Sequence, residues 1–311
     1  MTKRVLLAGC GDLGLRLAHR LLARGAEVWA LRRHPPSDEG RESIASLTLG
    51  QTPDALATAP SLASIEPLES IIALPDTIRW LQGDLTRPET LSGLPTGITH
   101  VAYLPAPDSR DPDIYRAVFQ AGLPALLAAL DQSALQRVLF VSSTAVYGEH
   151  HGEWVDETTP ANPTGFNGRI LLDTERWLAA QPLSSVSLRL AGLYGPGRLQ
   201  LIERLRTGAA RAPDDPPHWA NRIHINDAAA AAAHLLTLPQ PEALYLGVDD
   251  TPLPLHTLYG YLAQLIDAPP PEAGPAPATV GSKKLSNARL RGSGWTPQWP
   301  DSRTGYAALL R

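Results

Sequence analysis

Val5, Leu6, Leu7 and Ala8 form an unbroken apolar run, the pattern of a strand covered on both faces. Gly9, Gly11 and Gly14 follow with G-x-G-x-x-G spacing, overlapping Leu13, Leu15, Leu17, Ala18, Leu21 and Leu22 at helical spacing. Apolar run, glycine turn and helix in this order predict a βα turn. Such a turn aims backbone N–H groups and a helix N-terminus at a pyrophosphate.

The same alternation continues along the chain. Further strands are expected at Ala26–Arg33, Thr77–Asp84, Thr99–Leu104 and Arg137–Ser143, with a helix over Asp113–Leu130 before the last of these. Strands alternating with helices predict an α/β fold with a doubly wound parallel sheet and right-handed crossovers. Residues 35–70 are rich in Pro, Ser, Thr and Ala; they read as a surface excursion with one helix, Glu42–Leu49. Beyond Tyr147 the pattern gives a polar loop, a helix over Thr164–Ala180, a strand over Ser185–Leu193, and an alanine-rich helix opened and capped by Asn226. A strand over Ala243–Val248, a Pro-rich linker over Ala268–Ala278 and two short terminal helices complete the chain. The expected division is a dinucleotide-binding core over 1–165 and a remainder over 166–311. Segments 185–195 and 223–248 partly complete the core, and the rest forms a smaller α/β substrate lobe.

Composition narrows the class. The chain has 311 residues, 43% hydrophobic, with a formal net charge of −4, so nothing suggests a nucleic-acid surface. One cysteine, Cys10, excludes an internal disulfide and a cysteine-based zinc site. Leu7-Ala8-Gly9-Cys10 after Lys3 and Arg4 imitates a lipoprotein cleavage box, but the apolar stretch is far shorter than the ~7–15 residues of a signal sequence. No run approaches the ~18 apolar residues of a membrane span. The expectation is a cytoplasmic protein with a small-molecule substrate, no membrane or nucleic-acid partner, and a homodimer as candidate assembly.

Ligands of such sheets bind at the carboxyl ends of the strands. The cofactor-facing residues are therefore expected to be Gly9, Cys10, Gly11, Asp12, Leu13, Gly14, Arg32, Arg33, Asp84, Leu85, Leu104 and Pro105. Cys10 is expected to meet phosphate through its backbone. Where an acid commonly holds the ribose 2′-hydroxyl, this chain has Arg32 and Arg33; two guanidiniums suit a 2′-phosphate and favour NADP(H) over NAD(H).

Several motifs, in order, resemble the extended short-chain dehydrogenase/reductases, the NAD(P)-dependent epimerase/dehydratase group with a Rossmann fold. They are the glycine loop, Gly83-Asp84-Leu85, Val141 to Gly148 (VSSTAVYG), Leu188-Arg189-Leu190, Leu193 to Gly197 (LYGPG), His224-Ile225-Asn226-Asp227, Ser286-Asn287 with Leu290, and Gly294-Trp295. The resemblance implies a tyrosine paired with a lysine four residues on. Here those positions are Asn167 and Leu171, and lysine occurs only at Lys3, Lys283 and Lys284, none four residues after a tyrosine. Both this and the tight glycine spacing resemble the atypical members, which keep the cofactor site and often lack the pair. Ser143 matches the family serine. The arginine that commonly grips a nucleotide-sugar diphosphate is replaced by Ala220, with an arginine instead at Arg222.

Catalysis, if present, needs another proton source. Tyr147, just past the fifth strand, is the candidate donor to a carbonyl, with Ser143 as hydrogen-bonding partner. Arg169, Tyr194 and Arg222 are the substrate-facing candidates, and His224 is expected to brace the loop before the alanine helix. His150 and His151 with Glu149 and Glu153 lack a third positioned ligand, so no metal site is expected. Two functions follow: an NAD(P)-dependent oxidoreductase or epimerase-like enzyme, or a catalytically silent NADP(H)-binding redox sensor.

Overall fold

β1 (Arg4–Ala8) contributes Val5, Leu6, Leu7 and Ala8, all fully buried, so the strand lacks a polar face because both of its faces are covered. This computed structural model describes residues 2–36, 77–277 and 280–310. Nearly all of the 35–70 excursion, including the expected helix Glu42–Leu49, lies outside the described residues.

Along the chain follow β2 (Glu27–Arg32), β3 (Ile78–Gln82), β4 (His100–Tyr103) and β5 (Arg137–Ser143). The shorter β6 (Trp154–Val155) precedes β7 (Ser185–Leu190), and β8 (Gly192–Tyr194), β9 (Arg211–Ala212), β10 (Trp219–Ala220) and β11 (Arg222–His224) come next. β12 (Leu244–Gly247), β13 (Leu253–Pro254), β14 (Glu272–Ala273) and β15 (Lys284–Leu285) close the series. Seven of these form one sheet in the order β12-β7-β5-β4-β1-β2-β3, with every pairing parallel. The order reverses between β1 and β4, where Ala8 lies opposite Leu31 on one side and Tyr103 on the other. A crevice at this switch point is where such sheets take their ligands.

Helices pack in two groups. Asp12–Leu22 lies against Ile225–Thr237, whose Ala228, Ala229, Ala231, Ala232 and Ala233 are fully buried, so the alanine run is a close-packing face. Phe166–Ala179 packs against β5 and against the helical segment that begins at Pro112. That segment is not the uninterrupted helix expected over Asp113–Leu130. A π-turn, Arg116–Ala121, separates Pro112–Tyr115 from Gly122–Ala129. The Tyr103 hydroxyl donates to the Val118 carbonyl inside this turn. A Cβ at Gly122 would stand 2.6 Å from the Leu85 carbonyl oxygen, so the helix passes the loop after β3 at glycine distance.

Two further expectations change. Asn226 does not cap the alanine helix; His224 does, its Nδ1 accepting the Asn226 N–H at 3.2 Å. The helix Phe166–Ala179 belongs to the large core through Ile170, Leu171, Leu172 and Leu178, although sequence assigns it to the remainder. A second, smaller core gathers Tyr194, Ile202, Leu205, Leu253, Leu258, Leu262 and Tyr306. No described helix is long and apolar enough to cross a membrane.

Candidate functional site

The three glycines do three different things. Gly9 has φ 84°, and a Cβ there would stand 2.5 Å from Pro105 Cα, so the turn and the approach of the two strand ends both require glycine. A Cβ on Gly14 would meet Leu104 Cδ1 at 2.9 Å and Cys10 Sγ at 3.0 Å, which presses the helix onto the sheet. Around Gly11 nothing lies within 4 Å of that position. The middle glycine thus faces open space between two closed ones, a cradle where a group can approach the backbone closely.

The amide groups of the cradle can be assigned. Gly9 and Cys10 N–H both donate to Leu31 O at 3.2 Å, and Gly11 N–H donates to Gly9 O at 2.8 Å. The expected contact between the Cys10 backbone and phosphate is therefore revised: its N–H is already used by β2. No side chain caps the helix Asp12–Leu22, so its opening amides, beginning at Asp12 and Leu13, are the donors facing the cradle. The Cys10 thiol is fully buried, and burial pushes its pKa up to about 12 against the opposing pull of Arg32. It is an inert packing group. Asp12 accepts a hydrogen bond from Arg16 Nε at 2.8 Å and lies 3.4 Å from Arg198 Nε.

Arg32 and Arg33 part company. Arg33 grips Asp108, on the loop after β4, through two bonds of 2.6 Å. The Arg32 carbonyl accepts from Gly83 N–H at 3.0 Å, but its guanidinium, at the end of β2, has no hydrogen-bond or ion-pair partner among the described residues. Asp84, past the end of β3, is folded into its own turn, its Oδ1 accepting from Thr86 N–H at 2.9 Å and Thr86 Oγ at 2.8 Å. Leu85 and Leu104 are buried beside it and beside the cradle, respectively.

At the end of β5, Ser143 is half-buried and its Oγ accepts the Ala145 N–H at 3.2 Å, which leaves its own O–H free to donate. Tyr147 stands differently from expectation. It is 2% exposed, and its hydroxyl donates to the Asp156 carbonyl at 2.8 Å. Burial pushes its pKa up to about 12, opposed by Arg189, whose guanidinium lies 4.8 Å from the ring centre. The expected proton donor is thus committed to the backbone of the neighbouring loop. Beneath it runs a buried chain: Ser142 Oγ donates to Glu175 Oε1 at 2.5 Å, and Arg189 holds Glu175 with Nη2 at 2.6 Å and Nε at 3.0 Å.

The expected substrate residues do not converge. Tyr194 is fully buried in the smaller core, stacked on Tyr306 with ring centres 4.4 Å apart and edge-on to His224. Arg222 is half-buried, its Nη1 bonded to Asn221 O at 3.4 Å. Arg169 donates to Thr164 O at 2.7 Å from an exposed position. Asn167, in the place of the family tyrosine, opens the helix Phe166–Ala179, and its Oδ1 would stand 2.6 Å from a Cβ on Gly165. Burial drives the His224 pKa down to about 3, which keeps the ring neutral and its Nδ1 an acceptor. No group of three His, Cys, Asp or Glu able to hold a metal occurs among the described residues.

Sequence reasoning missed Asp108 and Arg198. Asp108 follows Pro105-Ala106-Pro107, and Arg198 follows Gly195-Pro196-Gly197; both turns were visible, but neither charge was tied to a partner far along the chain.

The model of the NAD dependent epimerase/dehydratase family matches residues 5–247. The chain belongs to this family. Protein YeeZ of Escherichia coli K12 is 28% identical over 306 residues, spanning 96% of this chain and 97% of that one. A Methylobacillus flagellatus protein classed with the NAD-dependent epimerase/dehydratases is 37% identical; its structure superimposes with TM-score 0.73, covering 100% of this chain and 98% of its own. The UDP-glucose 4-epimerase of Thermus thermophilus, solved with NAD, shares the fold at TM-score 0.74 and 23% identity, covering 99% and 97%. The seven-stranded parallel sheet is the Rossmann architecture of these relatives.

Proposed function

We propose that the chain binds a nicotinamide dinucleotide across the carboxyl ends of β1, β2 and β4. We assign it as an oxidoreductase or epimerase-like enzyme for a small carbonyl or hydroxyl substrate, with NADP(H) favoured over NAD(H). The observation that carries this reading is the cradle, closed at Gly9 and Gly14 and open at Gly11. Family membership and the NAD seen in the Thermus epimerase support the same ligand class.

The opening amides of the helix Asp12–Leu22 hold the diphosphate, and Arg32, whose guanidinium has no partner among the described residues, meets the 2′-phosphate. When bound, the nicotinamide supplies the hydride chemistry. Ser143 Oγ donates its hydrogen to the substrate oxygen while accepting the Ala145 N–H, which fixes its position. Tyr147 holds the Asp156 loop in place, a positioning role. Without the tyrosine–lysine pair the protein forgoes general acid–base help worth ~10²–10⁴ in rate. The committed Tyr147 hydroxyl favours a second reading, an NADP(H)-binding redox sensor without turnover.

Titration with NADPH and NADP⁺, followed by a screen of aldehydes, ketones and quinones at 340 nm, separates the two. Turnover that falls at least about tenfold in Ser143→Ala supports the enzyme. Tight binding of both redox forms with unequal affinity and no turnover supports the sensor. For the cofactor, Arg32→Asp with Arg33→Ala weakens NADP(H) far more than NAD(H); equal losses would refute the 2′-phosphate assignment.

A further inference from the structure

The cradle has a charge that the glycine turn does not require. Asp12 sits in the first turn of the helix whose opening amides face the ligand, and a bare carboxylate there repels a diphosphate. Two arginines answer it. Arg16 is buried and fixed, with Nε on Asp12 Oδ1 at 2.8 Å and Nη1 on Asn226 Oδ1 at 2.5 Å. Arg198 is held differently.

Its Nε lies 3.4 Å from Asp12 Oδ2, buried yet making no hydrogen bond among the described residues, while the side chain as a whole is 34% exposed. Among the described residues, neither Nη nitrogen has a hydrogen-bond partner. Arg198 ends a glycine turn closed by its own N–H on Gly195 O at 3.0 Å, with Gly197 at φ 76°. The helix Gln200–Arg206 follows at once and anchors in the smaller core through Ile202 and Leu205. The arginine is therefore the smaller core's cation at the lip of the cradle. With Arg16 balancing Asp12, it turns the net charge of this trio positive.

We propose that Arg198 closes on the diphosphate of the bound dinucleotide, exchanging its contact with Asp12 for the phosphate oxygens. A planar guanidinium with two unused Nη groups suits bidentate contact with phosphate, and the ion pair with Asp12 lacks the alignment that would resist the exchange. This proposal rests on the dinucleotide site above.

All four of NADPH, NADP⁺, NADH and NAD⁺ carry the diphosphate, which makes the test selective. Calorimetric titration of wild type, Arg198→Ala, Arg198→Lys and Asp12→Asn/Arg198→Ala with each, alongside melting curves, decides it. Arg198→Ala weakens all four by a common factor of about ten or more, Arg198→Lys by less, and the double variant regains part of the loss. Unchanged affinity in folded Arg198→Ala, or a loss confined to the NADP forms, overturns the proposal. A double variant with no recovery overturns the exchange with Asp12. Wild type binding none of the four refutes the dinucleotide reading itself, a result distinct from wild type binding with Arg198→Ala unaffected.

Discussion

Arg33 and Asp108 hold each other through two parallel bonds, Nη1 to Oδ2 and Nη2 to Oδ1, each 2.6 Å long, joining the end of β2 to the loop after β4. The pair occupies the fork that a 2′-phosphate would use. Both side chains are about half exposed, at 49% and 60%, so water screens the pair and little free energy opposes its opening. Asp108→Asn frees Arg33 and removes a competing anion. Affinity for NADP(H) then rises severalfold while that for NAD(H) stays constant, as titration of both cofactors checks. A parallel rise for both would place Asp108 outside the 2′-phosphate site.

The glycines separate stability from binding. Gly9→Ala forces a side chain into positive φ and onto Pro105, and Gly14→Ala drives one into Leu104; both lower the melting temperature. Gly11→Ala meets open space and keeps the melting temperature within a few degrees. It fills the cradle, however, and dinucleotide binding falls by at least about tenfold. Normal binding by a folded Gly11→Ala protein contradicts the placement of the phosphate.

Glu175 is 7% exposed between Ser142 and Arg189. Glu175→Ala leaves the Arg189 guanidinium buried without its anion, and removing one partner of such a pair costs about 3–5 kcal/mol. Urea unfolding reads this directly. Tyr147→Phe removes the hydroxyl that bonds the Asp156 carbonyl and lies beside Arg189, and costs about 1 kcal/mol. Any turnover survives Tyr147→Phe with less than about a threefold change, whereas a collapse would restore Tyr147 as the proton donor.

Asp249 gives a pH signature. It is 1% exposed, its Oδ2 has no partner among the described residues, and burial raises its pKa to about 8, opposed by the Thr251 N–H and by Arg222, with Asp301 and Asp250 adding to the rise. A carboxyl whose folded pKa lies above its unfolded value of 3.8 favours folding most at low pH. That contribution drains away as pH rises from about 4 through about 8. Asp249→Asn keeps an acceptor for the Thr251 N–H and removes the titration. Its melting temperature exceeds wild type most at pH 8 and above, and the gap narrows toward pH 4. A gap independent of pH would show that Asp249 does not titrate in this window.

The sheet was legible because its inner strands are short, continuous and mostly buried on both faces, a signal local to each run: Arg137–Ser143 falls where the apolar pattern places it. The glycine turn was legible for the same reason, since strand, turn and helix lie within a few residues. The alanine helix was legible too, though its cap was not. Asn226 and His224 both stand at its start, and only the placement of the His224 ring shows its Nδ1 accepting the N–H.

What the sequence by itself determined is the cradle of Gly9, Gly11 and Gly14, the sheet around it, and the absence of a tyrosine–lysine pair. Tertiary structure alone decided which charges and hydroxyls remain free. Arg33 is taken by Asp108, 75 positions away; Tyr147 by the Asp156 carbonyl; and Arg198 reaches Asp12 from the far half of the chain. Strand and turn patterns are set by neighbours in the chain, whereas the partner of a charge or hydroxyl is set by packing between distant segments.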